Sequence, residues 1–243
     1  MIHIKNLYKS FNGNPVLKGV NLHIPKNKIT VIIGPSGCGK TSLLRHIIGL
    51  LRPNSGEVVV DGINIHSLDR VELRNFRRRF GMLFQHAALF DSMNVYENVA
   101  FPLKEHSDFD EATIRKVVAE KLGLVGLEGI ENHMPSELSG GMRKRVGLAR
   151  AIALEPKIIL YDEPTTGLDP IMTESIDHLI LDMQRQLNIT SIVISHDIPS
   201  TFHIADQIAM VYQGKVVEVG DAQTFRNSKN DFVQEFLKKG SLR

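Results

Sequence analysis

One stretch of eight residues limits what this chain can fold into more than any other. Gly34-Pro35-Ser36-Gly37-Cys38-Gly39-Lys40-Thr41 fits the phosphate-binding pattern G-x-x-x-x-G-K-[ST]. The β-branched run at 30–33 predicts a buried strand before the loop, and residues 42–49 carry apolar side chains at helical spacing after it. A glycine turn without a ligand would explain the glycines, but not the agreement of spacing, Lys-Thr pair and strand context.

The loop predicts a site for a nucleoside triphosphate. Its glycines allow backbone N–H groups to curl around a polyphosphate, and the N-terminus of the following helix adds partial positive charge. Lys40 is expected to reach the β- and γ-phosphates, and the Thr41 hydroxyl is expected to bind Mg²⁺.

Composition narrows the remaining classes of protein. The 243 residues are 42% hydrophobic and 23% charged, which is typical of a globular protein. No apolar run is long enough for a membrane span and no secretory leader opens the chain, so we expect a cytoplasmic protein. The net charge of +2 gives no strong case for nucleic acid, and the ten histidines and the single Cys38 show no zinc pattern.

Periodicity predicts an α/β protein. Short strands are expected in residues 2–33 and 56–62, and another over 80–85. Residues 86–150 have helical periodicity, and strands alternate with helices again over 157–219. We therefore predict a single domain, 1–243. Residues 1–85 and 151–243 form a P-loop NTPase (RecA-like) core with an N-terminal antiparallel β subdomain. Residues 86–150 form a helical subdomain inserted into that core.

Two acids follow an apolar strand at Asp162 and Glu163. The carboxyl ends of parallel strands are where ligands bind, so Asp162 is expected to hold Mg²⁺ and Glu163 to polarise an attacking water. His196 follows another predicted strand and could orient the same water, although a lone histidine after a strand is usually structural.

A second glycine pair stands at Leu138-Ser139-Gly140-Gly141-Met142, just before a predicted helix. It offers another helix N-terminus to an anion, about a hundred residues after the first loop. Either the chain binds two ligands, or this loop serves the nucleotide of a neighbouring copy. Arg143, Lys144 and Arg145 come next. They could steer phosphate, but we expect them to form a solvated helix face.

The order of these motifs resembles an ABC-transporter ATP-binding subunit over almost the whole chain. The similarity rests on the P-loop, Gln85, Leu138 to Gly141, Ile158 to Glu163, Gly167-Leu168-Asp169 and His196-Asp197. It implies head-to-tail homodimers that hold two ATP molecules with Mg²⁺ between the subunits, which would explain the two loops.

The resemblance also implies a role for individual residues. The catalytic set is Glu163 as general base, His196 as switch histidine, Lys40, and Gln85 of the Q-loop, which senses Mg²⁺ and couples to the membrane subunit. Thr41, Gln85 and Asp162 are the metal residues. The nucleotide-binding set has four parts. Phe11 stacks on adenine, Asp169 belongs to the D-loop, and the signature contributes Ser139, Gly140 and Gly141. The phosphate loop contributes Gly34, Pro35, Ser36, Gly37, Cys38, Gly39, Lys40, Thr41 and Ser42. From its position beside a turn alone, Phe11 would be an ordinary strand aromatic.

A narrower similarity is to the Mla/MCE phospholipid-transport ATPases. It rests on residues 82–106, after the Q-loop, and on 135–145, where Met142 stands at a position that many ABC subunits fill with Gln. The segment 165–170 and the end at Arg243 depart from some members of that group. This similarity implies a peripheral protein on the cytoplasmic face of the inner membrane. Its permease would dock near Gln85 to Phe101, and an MCE-domain protein and a small accessory subunit would complete the complex.

Two other functions stay open. The same motor could serve an amino acid-like or other small-solute importer. A soluble ABC ATPase acting on DNA or ribosomes is less consistent with a single cassette that has no long insertion and little net charge.

Overall fold

A six-stranded sheet forms the centre of the computed structural model, which describes residues 1–240; the last three residues of the predicted domain lie outside the described residues. The strand order is β10-β9-β3-β8-β7-β6, and all neighbours are parallel except β9 and β10. The strands are β3 (Ile29–Ile33), β6 (Phe80–Leu83), β7 (Ile158–Asp162), β8 (Thr190–Ile194), β9 (Gln207–Tyr212) and β10 (Lys215–Gly220). The predicted hairpin around Gln213-Gly214 is β9–β10.

A second, antiparallel sheet of four strands has the order β2-β1-β4-β5. Its strands are β1 (Ile2–Phe11), β2 (Asn14–Ile24), β4 (Ser55–Val60) and β5 (Ile63–Asn64). The predicted short strands of the N-terminal region are thus two long ones, β1 and β2, followed by β3. A backbone hydrogen bond of 2.8 Å from Lys18 to Gly214 joins β2 to the β9–β10 turn.

The helices follow the sequence pattern closely. They are α1 (Lys40–Ile47), α2 (Arg70–Arg77), α3 (Val95–His106), α4 (Glu111–Leu124), α5 (Gly140–Ile152), α6 (Pro170–Leu187), α7 (Ile198–Ile204), α8 (Ala222–Arg226) and α9 (Asp231–Gly240), with a 3₁₀ turn at Pro135–Glu137. Polar N-caps start many of them: Asp69 and Asn94 form capping boxes, and Asp110 and Asp197 cap α4 and α7. Within residues 1–240, no helix has the length and apolar character needed to cross a bilayer.

Alternation along β3 divides the hydrophobic core in two. Val31 and Ile33 belong to a cluster shared with α3 to α6, whereas Ile32 belongs to one shared with α1 and the antiparallel sheet. Both faces of β3 are therefore covered, which explains its uninterrupted apolar sequence. The α/β fold with an antiparallel sheet and a helical segment is confirmed, while the exact subdomain limits at 85, 86, 150 and 151 stay a prediction.

One predicted boundary was wrong. The strand expected over 80–85 ends at Leu83, because Phe84 and Gln85 pass the edge of the sheet and pair with no residue of β7. Gln85 consequently lies in the loop after β6 and not at the end of a strand.

The loop between β6 and α3 is held by a fully buried side chain, Asn98. Its Oδ1 accepts the Phe90 N–H at 2.9 Å, and its Nδ2 lies 3.1, 2.9 and 3.0 Å from the carbonyl oxygens of Phe90, Met93 and Asn94. Arg150 adds bonds of 2.7 and 2.9 Å to the carbonyls of Ala87 and Ala88. One side-chain amide and one guanidinium thus replace strand pairing here.

We predict that Asn98→Ala lowers the free energy of unfolding by about 2–3 kcal/mol, because it leaves several buried backbone groups without partners. Thermal or denaturant unfolding followed by circular dichroism measures the change. Asn132→Ala, at an exposed position of the same helical segment, is the matched control and should have little effect. Equal stability of both variants would contradict the anchoring role of Asn98.

Candidate nucleotide-binding site

The phosphate loop connects β3 to α1 in a conformation that requires glycine. Gly34 and Gly39 have φ angles of 148° and 110°, which L side chains rarely adopt. A Cβ at Gly34 would also collide with the carbonyl oxygen of Val211, and one at Gly39 would lie 2.9 Å from a methyl group of Leu17. The loop is therefore shaped by its neighbours β9 and β2.

Lys40 begins α1 and is buried beneath the loop. Its ammonium donates to the carbonyl oxygens of Gly34 at 2.7 Å and Pro35 at 3.0 Å. These bonds hold the positive charge of Lys40 against the backbone of the loop, and its contact with phosphate stays a prediction.

Asp162, the last residue of β7, lies next to the start of α1. The Thr41 hydroxyl lies beside its carboxylate. Burial raises the pKa of Asp162 and the charge of Glu163 adds to the rise, whereas Arg45, Lys40 and the Thr41 hydroxyl oppose it. A hydroxyl beside a partly buried carboxylate is a donor set that suits Mg²⁺, a hard cation with oxygen ligands.

Glu163 and His196 face each other across neighbouring strand ends. Nδ1 of His196 is 3.5 Å from Oε2 of Glu163, and the Thr166 hydroxyl donates to the same oxygen at 3.0 Å. The Glu163 backbone has a left-handed φ of 50°, and its N–H donates to the carbonyl of Ile194 at 3.0 Å. Such a conformation is uncommon for glutamate and is concentrated at functional sites.

The second glycine loop forms the N-terminus of α5, as predicted. Ser139 caps the helix by accepting the Met142 N–H at 3.2 Å. A Cβ at Gly141 would collide with the side chain of Met172. Met172 in turn donates its N–H at 2.9 Å to Asp169, the cap of α6. The structure thus brings the signature loop against the segment that contains Asp169.

The structure also describes the other residues of the predicted nucleotide-binding set, whose roles stay a prediction. Phe11 is 40% exposed at the end of β1, with the Lys9 ammonium 5.2 Å from its ring centre. Cys38 is buried within the loop, and burial raises the pKa of its thiol, so a thiol reagent should reach it slowly. Pro35, Ser36 and Gly37 lie in the loop between β3 and α1, and Ser42 lies in the first turn of α1.

The solvated face expected for Arg143, Lys144 and Arg145 was wrong for Lys144, which is buried, whereas Arg143 is exposed and Arg145 is partly exposed. Arg143 donates to Leu138 O at 2.5 Å, and Arg145 donates to Val125 O and the Ser175 hydroxyl, each at 2.5 Å. Lys144 is only 5% exposed and donates to the carbonyl oxygen of Gln85.

Two residues near the site were missed by sequence reasoning, Lys144 and Thr166. A signal existed for Lys144, because it lies four and eight residues before Leu148 and Ile152, which are buried on the same helix. Thr166, which follows Glu163 by three residues, shows no comparable pattern.

No cluster of three or more His, Cys, Asp or Glu side chains suited to a metal occurs among residues 1–240.

A protein-family model described as "ABC transporter" matches residues 17–166, which include the phosphate loop, Gln85, the signature and Glu163. The chain belongs to the ABC transporter family. The predicted resemblance and the ATPase class are confirmed by this match and by the relatives below.

Curated relatives match nearly the whole chain. The intermembrane phospholipid transport system ATP-binding protein MlaF of Haemophilus influenzae is 46% identical over 98% of this chain and 90% of its own length. MlaF of Escherichia coli K12 is 45% identical over 91% of this chain and 82% of its own. The probable ribonucleotide transport ATP-binding protein mkl of Mycobacterium leprae is 44% identical over 97% of this chain, which spans 68% of that protein.

Solved structures share the fold. A dimeric, post-hydrolysis state of the ATP-binding cassette MJ0796 with ADP and Pi is 35% identical, with a TM-score of 0.83 over 91% of this chain and 98% of that one. CbiO1 of Clostridium perfringens, part of the transporter complex cbiONQ, is 32% identical, with a TM-score of 0.87 over 100% of this chain and 94% of that one.

We predict that Lys40→Ala weakens ATP binding by about 100-fold, because the triphosphate loses charge-assisted hydrogen bonds. Titration with a fluorescent ATP analogue measures the dissociation constant, and a thermal melt reports whether the loop still folds. Lys26→Ala, at an exposed lysine before β3, is the control. An unchanged dissociation constant in a folded Lys40→Ala protein would remove Lys40 from the site.

Proposed function

We propose that this chain is the ATP-hydrolysing motor subunit of an ABC transporter that moves phospholipid. The observation that carries the motor function is the meeting of Lys40, Thr41, Asp162, Glu163 and His196 at one edge of the central sheet. This set combines a phosphate ligand, oxygen donors for a cation and a carboxylate next to a histidine, which are the parts that phosphoryl transfer needs.

Nucleotide binding is assigned to the phosphate loop and its surroundings. The loop N–H groups and Lys40 would hold the phosphates, and Phe11 would stack on the adenine ring. Thr41, Asp162 and the side chain of Gln85 would hold Mg²⁺, which neutralises phosphate charge when bound.

Hydrolysis is assigned to Glu163 and His196. Glu163 would accept a proton from the attacking water, and His196, 3.5 Å away, would hydrogen-bond the γ-phosphate or the water. The Thr166 hydroxyl holds Oε2 of Glu163, which leaves Oε1 to act as the base.

The second loop is assigned to the nucleotide of a partner copy. Ser139, Gly140 and Gly141 would contact that γ-phosphate, with Asp169 at the same interface. The dimeric state of the similar cassette MJ0796 supports a dimer of this chain, and a head-to-tail arrangement would bring each second loop to the partner's nucleotide. ATP would close the dimer and hydrolysis would reopen it.

We predict that Glu163→Gln keeps ATP affinity within about threefold but lowers turnover by about 10³-fold, because the amide cannot accept the proton. Phosphate release measured beside nucleotide binding separates the two effects. Glu128→Gln, an exposed site in the helical segment, should turn over normally. Near-normal hydrolysis by Glu163→Gln would contradict its role as the base.

A membrane permease would dock on the surface near Gln85 to Phe101, which we call the docking surface. Phe84, Phe90 and Phe101 are 41%, 41% and 36% exposed there. The rings of Phe90 and Phe101 lie 4.9 Å apart, and Asn98 fixes the backbone beneath them. Exposed aromatic side chains on a rigid backbone suit a helix of a partner protein. The chain would then lie peripherally on the cytoplasmic face of the inner membrane.

The cargo is assigned from relatives. The two MlaF proteins, named for phospholipid transport, match this chain over most of their own length. We propose, from the resemblance to the Mla/MCE group, that an MCE-domain lipid-binding protein and a small accessory subunit complete the complex, and that nucleic acid is not a partner. The mycobacterial relative, named as a probable ribonucleotide transporter at 44% identity, is the observation that favours a small solute as the second candidate.

We predict that Phe90→Asp lowers recovery of the permease at least fivefold when this chain is isolated from native membranes in mild detergent. A buried carboxylate in an apolar interface is costly. Phe109→Asp is the control, because Phe109 is 50% exposed but lies outside the docking surface. Mass spectrometry identifies the proteins recovered, and thermal melts verify folding.

The identity of the recovered proteins separates the candidates. A permease with an MCE-domain protein would support phospholipid as the cargo. A permease with a solute-binding protein would support a small-solute importer and leave the motor chemistry unchanged. Equal permease recovery by both aspartate variants would contradict the docking surface.

A further inference from the structure

Lys144 is a buried cation on the helix that begins with the signature loop. It is the fifth residue of α5 and is 5% exposed. Its neighbours Arg143 and Arg145 donate to different segments, at Leu138 and at Val125. The three cations therefore diverge, and Lys144 alone of these three points towards the nucleotide site.

The Lys144 ammonium lies between two loops of that site. It donates to the carbonyl oxygen of Gln85 and lies 3.4 Å from the carbonyl oxygen of Glu163. These residues follow β6 and β7, which are neighbouring parallel strands. One side chain on α5 thus contacts the backbone of both loops.

This arrangement is not explained by packing. Burial lowers the pKa of Lys144, and the negative charges of Glu163 and Asp162 oppose that shift. An apolar side chain of similar length would fill the same space without desolvating a charge. What an apolar side chain would lose is the pair of carbonyl contacts, and with them the fixed distance between Gln85 and Glu163.

We propose that Lys144 is a positioning residue that holds the backbones of Gln85 and Glu163 against the signature helix. The inference rests on the functions proposed above for Gln85, Glu163 and Ser139. Because Ser139 starts the helix that carries Lys144, contact between the signature and the partner's nucleotide sets the placement of the groups that act on this subunit's own γ-phosphate.

The test compares Lys144→Met, Lys144→Arg and Lys116→Met in the full-length chain. Methionine keeps the apolar stem and removes the ammonium, arginine restores a cation, and Lys116 is an exposed lysine on α4. We expect Lys144→Met to lower kcat about 30-fold, since misplacing a reacting group by about 1 Å can cost 10²-fold. KM and the dissociation constant of ATP should stay within threefold.

Lys144→Arg should recover at least a third of the wild-type kcat, and Lys116→Met should match wild type. In a Glu163→Gln background, Lys144→Met should still form the ATP-dependent dimer in gel filtration, because closure does not require the positioned base. If Lys144→Met does not fold, Lys144→Gln takes its place under the same criteria.

A kcat within threefold of wild type would overturn the proposal, as would a loss of ATP affinity equal to the loss of kcat. Failure of the proposed function gives a different result: Glu163→Gln would then hydrolyse ATP at a near-normal rate, whatever the outcome at Lys144.

Discussion

Parallel pairing of β3, β7 and β8 is the constraint on which the site depends. Val31 pairs with Val193, and Tyr161 pairs with the same residue from the other side, so the three strands end at one level. Each strand is buried on both faces and cannot slide without moving its side chains to the wrong cluster. Strand register alone therefore places three groups together at the carboxyl ends of these strands: the phosphate loop, the pair Asp162–Glu163 and His196.

Around that edge, the charges are arranged by the ends of helices and by buried cations. Lys40 fixes the phosphate loop from within, and Lys144 connects the loops after β6 and β7 from the side of α5. The signature loop packs on the segment that contains Asp169 through Gly141 and Met172. The helix that begins with the signature loop, which is assigned to the partner's nucleotide, therefore contacts the loops that are assigned to the chain's own nucleotide.

Much of this organisation could be predicted from sequence. The phosphate loop, the Asp162–Glu163 pair and the signature have fixed spacings that a local chemical requirement explains, and periodicity separated the helical segment from the sheet. The end of β6 could not be predicted, because Phe84 continues the apolar run up to the polar Gln85, and where the strand stops pairing depends on β7. The burial of Lys144 was missed because a run of three basic residues usually faces solvent, and the two carbonyls that it contacts are distant in sequence.

Asn98 supports the loop after Gln85 in a way that has an evolutionary consequence. Its hydrogen bonds to that loop go to backbone atoms of Phe90, Met93 and Asn94, and its one side-chain contact, with Arg150 at 3.5 Å, comes from α5. The side chains of the loop are therefore free to be replaced without loss of its shape. Exposed aromatic residues could be exchanged during evolution while the backbone of the loop and the nucleotide-binding site stay the same. One cassette design could in this way diversify to match many membrane proteins.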